Sequence, residues 1–313
     1  MFTRNEWNII CLFSILKMKN IYKLATIIVC FFTIDFTGSQ ILKHGLNQGM
    51  GLNEHSKILI VGHSHLMMGL DKSILEDSLG CKVTKHTRSG VGMTERKLMT
   101  QMFLDSPFSD SLIVVVIGVD PFSFNGEGLS ENCHTLFYPW INEPNVGNYI
   151  KEATDPANYY VHKLFRLSRY NDDLIKQSIR GWKHDDRNYK VSIFTDSLFE
   201  ASKTKWARPI TFNKHLMKEL EQTITFCINR KLHIILLQTP ILKVLTDMHP
   251  IEYKEITKYY QQLDSVSNYV HFINYSPYYD EDYNIFFDPI HLNINGQKIV
   301  TERFIKDISY LLK

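Results

Sequence analysis

The sequence predicts an α/β fold with one doubly wound, five-stranded parallel sheet, and three observations predict it. Ile58-Leu59-Ile60-Val61 and Leu112-Ile113-Val114-Val115-Val116-Ile117 are unbroken aliphatic runs, the mark of strands buried on both faces. Less strongly apolar stretches at Cys81 to His86, Leu232 to Leu237 and Val270 to Asn274 complete a set of five. Stretches of helical spacing separate them, the rhythm of parallel strands joined by crossover helices.

In chain order, the first feature is an apolar leader. Positions 24–34 carry no charge but are too short to cross a bilayer, which needs about 20 residues. Extending the run to Ile41 and Leu42 takes in Asp35, and a second apolar patch, Ile9 to Leu16, precedes it. Lys17, Lys19 and Lys23 on the amino side orient such a segment with the bulk of the chain outside. Residues 1–45 are therefore expected to be a signal anchor and linker. A signal peptide removed near Thr37-Gly38-Ser39, with Met18 as its start, and a buried core helix are the alternatives. Three glycines with Asn, Gln and Ser make 43–56 read as a linker into a domain over 46–313.

After the first strand stops at Gly62, the spacing of Leu66, Met67 and Leu70 suits a helix, and one of about a dozen residues is expected to end at Gly80. The second strand leads into a glycine loop, Ser89-Gly90-Val91-Gly92, and a helix from Thr94. The third exits through Val119-Asp120-Pro121-Phe122. Residues 123–212 break the rhythm and read as an insertion, part helical around Tyr160 to Ile179. It holds Trp140, Trp182, Trp206, Tyr138, Tyr149, Tyr159, Tyr160, Tyr170 and Tyr189. Such rings either stack on sugar faces, as in a lid over a site, or pack the insertion down. Helices over Lys214 to Asn229, Ile251 to Val266 and Gly296 to Leu312 follow, the last with Ile299, Phe304, Ile308 and Leu311 inward.

Composition bounds the function. Of the 313 residues 44% are hydrophobic, and a net charge of +2 without any Lys/Arg cluster gives no case for nucleic acid. The five cysteines form no CxxC pair, so neither a zinc ribbon nor a disulfide framework is indicated.

Ser64 falls where the first strand ends and a helix begins, the place where open α/β sheets bind ligands. It is also a favoured helix cap. Far along the chain, Asp288-Pro289-Ile290-His291 puts a carboxylate three residues before a histidine. That spacing lets the carboxylate orient an imidazole able to take a serine proton. His63, His65 and His86 are weighed as metal ligands and set aside, because side chains flanking a serine on a turn are expected to diverge. No cofactor is expected.

Gly62-His63-Ser64, the glycine loop after the second strand, Gly118-Val119-Asp120 and Asp288-Pro289-Ile290-His291 together resemble the four blocks of the SGNH/GDSL hydrolase superfamily. Leader, Gly-His-Ser-His and Ile117 to Phe122 look more like its membrane-anchored branch, which acylates or deacylates cell-surface polymers such as teichoic acid and alginate. The resemblance covers roughly 57–121 and 232–313 and implies a flavodoxin-like sheet. It implies Ser64 as nucleophile, His291 as general base and later acid, and Asp288 as the holder of its tautomer. It places the oxyanion donors at the backbone of Ser64 and of Gly90 or Gly92. The family's third donor, an asparagine, is replaced here by Asp120, which either bonds loop N–H groups or orients a substrate amine.

The implied function is a membrane-anchored, extracytoplasmic serine acyltransferase or esterase, of O-acetyl type, working on surface or exported polysaccharide through an acyl-Ser64. A membrane protein that donates acyl groups is a possible partner. The alternatives are a noncatalytic glycan-binding or assembly protein on the same fold and a lipase-like esterase of small esters.

Overall fold

A computed structural model of the protein describes residues 4–125, 132–185, 191, 195, 199–200 and 208–312, with side chains from Met18 onward. Strands β1 (Ile58–Gly62), β2 (Val83–Thr87), β3 (Val114–Gly118), β4 (His233–Gln238) and β5 (Val270–Asn274) form one parallel sheet in the order β2-β1-β3-β4-β5. The fold class is the expected one. The order reverses between β1 and β3, so the carboxyl ends of these two strands flank the crevice where such sheets bind ligands.

Alternate residues of each strand enter opposite cores, as the two-residue period demands. Leu59, Val61, Val115, Ile117, Ile234 and Leu236 join one cluster, with helices α4 (Met93–Leu104), α8 (Lys214–Asn229) and α10 (Pro250–Asp264). Ile58, Ile60, Val114, Val116, Ile235 and Leu237 join the other, with α2 (Ser64–Gly69), α3 (Lys72–Leu79) and α12 (Ile294–Ile308). Burial on both faces is why these strands read as continuous aliphatic runs.

Three sequence expectations need correction. The helix after β1 is two helices. Leu70 is extended between them, and the Asp71 carboxylate accepts the Ile74 N–H at 3.0 Å, capping α3 afresh. Ile299 on α12 is exposed, while Val300, Phe304 and Ile308 form its inner face. The linker over 43–56 is largely helix, since α1 runs unbroken from Arg4 to Met50.

Helix α1 has 47 residues, about 70 Å at the usual helical rise. Its stretch from Met18 is long and apolar enough to cross a membrane, and most side chains from Met18 to Ile41 are exposed rather than packed in a core. Its last turns pack on α7 (Asp172–Trp182) of the insertion. Two of the three glycines that suggested a linker, Gly45 and Gly49, serve this crossing: a Cβ on Gly181 would stand 1.8 Å from the Gly45 carbonyl, so the two backbones touch. Asp35, the charge that interrupts the apolar run, is buried and accepts the N–H groups of Arg166 and Leu167, each at 2.8 Å. Ser39 is buried too, its carbonyl accepting the Tyr170 hydroxyl at 2.8 Å, so Thr37-Gly38-Ser39 lies within continuous helix whose Ser39 packs on the insertion.

In the insertion the helix expected around Tyr160 to Ile179 is divided into α6 (Pro156–Leu164) and α7, and α5 (Pro144–Ala153) is an addition. Trp140, Tyr138 and Tyr170 are buried, while Tyr160 and Trp182 are exposed. Tyr189 and Trp206 lie outside the described residues.

Candidate active site

The sequence positions Ser64 through glycine. A Cβ on Gly62 would come within 2.8 Å of Leu66, and one on Gly118 within 3.1 Å. Bare backbone at the ends of β1 and β3 thus lets α2 sit directly on the sheet, with Ser64 as its first residue.

His291 arrives from the other end of the chain on a small antiparallel hairpin, β6 (Phe286–Asp288) and β7 (His291–Leu292), which the sequence did not suggest. Asp288 makes the turn: its Oδ1 accepts the N–H groups of Ile290 at 3.0 Å and His291 at 2.9 Å. Asn293 locks the base of the hairpin to α12. Its Oδ1 caps the helix on Asn295 and Gly296, and its Nδ2 donates to the carbonyls of Asn284 and Phe286.

Three predicted residues meet here. His291 Nδ1 lies 2.7 Å from Asp288 Oδ2, and its Nε2 lies 2.8 Å from Ser64 Oγ, across 227 positions of sequence. A carboxylate only accepts, so Nδ1 carries the proton and Nε2 is free to accept the serine's. Ser64 is 7% exposed, which keeps the pair largely out of bulk water.

The oxyanion candidates separate. Gly92 N–H already donates to Glu95 Oε2 at 2.7 Å, in the capping box of α4, and is committed. Gly90, at φ +81°, has no acceptor for its N–H among the described residues. It is the better of the two, beside the Ser64 N–H.

Asp120 cannot serve as a side-chain donor. Its Oδ1 accepts the Phe122 N–H at 2.6 Å, its Oδ2 is bonded by His63 Nε2, and His65 Nδ1 stands 3.5 Å away. Burial works to raise its pKa, but His63, His65 and the nearby Arg96 guanidinium outweigh that, leaving it ionised. Burial, then Arg96, lowers the His63 pKa to about 4, so His63 is the neutral donor to a charged Asp120. Burial and His63 likewise push His65 well below its ordinary value.

The expectation that His63 and His65 diverge is overturned. His63 precedes α2 with an extended backbone, so helical angles do not govern it, and its ring centroid lies 4.1 Å from that of His65. His65 stands edge-on to His291 at 5.3 Å. His63, His65 and Asp120 bring one ligand atom each within 4.8 Å of one another, a grouping a metal ion can use. His86 stands apart from them, buried near Trp140. Only His-x-His around the serine could have signalled this cluster.

No protein-family model matches the chain, and no curated protein matches it. Among solved structures, one provisionally described as a platelet activating factor from Streptococcus pneumonia aligns over 93% of this chain and 99% of that one. The two are 12% identical, with a TM-score of 0.42.

Proposed function

We propose that the protein is an SGNH-type serine esterase or acyltransferase whose nucleophile is Ser64. One observation carries the reading: a single imidazole, that of His291, hydrogen-bonds Asp288 through one nitrogen and Ser64 Oγ through the other. In that arrangement Nε2 takes the hydroxyl proton as Oγ attacks an ester carbonyl, and Asp288 stabilises the imidazolium. The N–H groups of Ser64 and Gly90 receive the oxyanion. His291 then returns the proton to the departing alkoxide, leaving an acyl group on Ser64. Water or a sugar hydroxyl, deprotonated by the same nitrogen, releases it.

The apolar α1 supports a membrane-held enzyme, and the positive residues on its amino side support an extracytoplasmic body. A surface or exported polysaccharide, supplied with acyl groups by a membrane partner, is the substrate consistent with that placement. The complete Ser64, His291 and Asp288 chain argues against the noncatalytic reading, since a binding module has no use for it.

The test is intact-mass analysis of the full chain in detergent after exposure to a serine-reactive fluorophosphonate. One adduct, on Ser64 and absent from Ser64→Ala, is the expected result. Folded protein that takes up no reagent would return the reading to a binding protein.

A further inference from the structure

A cavity of about 480 Å³ opens between the carboxyl end of β2, the end of α1 and the insertion. That size suits a small-molecule ligand or one unit of a larger one. Arg88 lines it and is 3% exposed. Of the described residues, none with a carboxylate forms an ion pair with Arg88. Its Nη1 donates to Gln177 Oε1, whereas Nε and Nη2 are buried without an acceptor.

Those two nitrogens are one edge of the guanidinium. Their N–H bonds run parallel, the fork that matches two oxygens of a carboxylate or phosphate. Trp140 lies 5.4 Å beneath the guanidinium carbon and Gln177 holds the opposite edge, so the fork is fixed in advance. A buried cation with two unmet donors is costly, and an anionic ligand would remove that cost. Lys72 and Arg180 also line the cavity, against Asp173 and Asp185.

The backbone ties this cation to the chemistry. Arg88 N–H donates to the Gly62 carbonyl at 3.0 Å, two residues before Ser64, and Gly90 follows two residues later.

We propose that the Arg88 cavity binds an oxyanion substituent, carboxylate or phosphate, of the ligand whose ester reaches Ser64. This rests on the acyl-transfer reading above, but its test does not. Calorimetric titration of the full-length protein with glucuronate, inorganic phosphate and glucose measures binding alone.

At least one of the two anions should bind saturably in the millimolar range, and glucose should bind at least about tenfold more weakly. Saturation by glucuronate assigns a carboxylate, and by phosphate a phosphoryl group. Arg88→Met should weaken the anion about tenfold or more, and Arg88→Lys, which keeps the charge without the fork, should fall between. Saturable anion binding with no fluorophosphonate adduct on Ser64 would uphold this site while sinking the acyl-transfer reading. Neither anion saturating by roughly 10 mM, or glucose binding equally well, overturns the proposal, and both use unaltered protein. So does anion binding that survives in folded Arg88→Met.

Discussion

Asp35 Oδ1 accepts the backbone N–H of Leu167 at 2.8 Å, and its other oxygen takes the neighbouring N–H of Arg166. A carboxylate within an apolar helix therefore holds a corner of the insertion, where the Arg166 guanidinium also stacks 4.5 Å from the Phe36 ring. Asp35→Leu should leave two N–H groups without an acceptor and cost about 1–3 kcal/mol locally. Trypsin should then cut faster at Lys163, Arg166 and Arg169 in detergent-solubilised full chain, with Asp35→Asn intermediate. Unchanged cleavage in Asp35→Leu would remove the capping role.

Removing members of the triad should separate their roles. Ser64→Ala and His291→Ala should each abolish measurable fluorophosphonate labelling. Asp288→Asn, which leaves an imidazole in the wrong tautomer, should slow it on the order of 10⁴-fold, a smaller loss than that of His291→Ala. Time courses of adduct formation by mass spectrometry give the rates. Labelling of Ser64→Ala at the wild-type rate would discard the assignment.

Asp120→Asn pits two roles against each other. If position 120 lends a side-chain donor to the oxyanion, the amide should accelerate labelling. If it anchors His63 and the Phe122 turn, as the hydrogen bonds here indicate, the amide presents an N–H to an N–H and costs about 1–3 kcal/mol. We expect slower labelling and a lower melting temperature; a faster rate would restore the donor role.

Acid should unfold the protein early. His63 and His86 ordinarily titrate near 6.5, but in the folded chain burial lowers them to about 4 and about 3. Within that window the unfolded chain binds more protons, so stability is full above about pH 6.5 and falls as the pH drops toward 4 and 3. The slope is about 1.4 kcal/mol per pH unit for each such histidine. Urea midpoints followed downward from neutral pH should show it, and His86→Leu should flatten it. A midpoint constant across the window would mean these rings are not held neutral.

Gly181→Ala should force α7 away from α1, because its Cβ would overlap the Gly45 carbonyl. Overpacking of this kind costs typically about 1–3 kcal/mol, and backbone-to-backbone contact leaves little room to adjust. Thermal melts should drop by several degrees, whereas Gly80→Ala should cost less, since nothing lies within 4 Å of its added carbon and only its φ of +62° resists.

Much of the sheet was legible because buried parallel strands such as β1 and β3 carry their signal in unbroken aliphatic runs, and the strand expected at Val270 to Asn274 has those bounds although His271 interrupts its apolar run. Ser64, Asp288 and His291 were nameable from short local patterns. The hairpin under His291 was not, because a turn built by Asp288 Oδ1 and a three-residue strand leave no periodicity. Nor was the convergence of His63 and His65, which depends on one extended residue before α2. Gly45 and Gly49 misled for a physical reason: a small residue permits a flexible linker and a close helix crossing equally, and only the partner, Gly181, distinguishes them.

A body tied to its anchor by a flexible tether searches a volume; one carried on a continuous helix holds a single height and orientation. Because α1 passes from its exposed apolar stretch into the α7 contact without a break, and Asp35 and Ser39 pin it to the insertion on the way, there is no hinge between them. In the membrane-held reading proposed above, such a mount trades reach for aim, and a substrate would have to come to the level at which Ser64 is held.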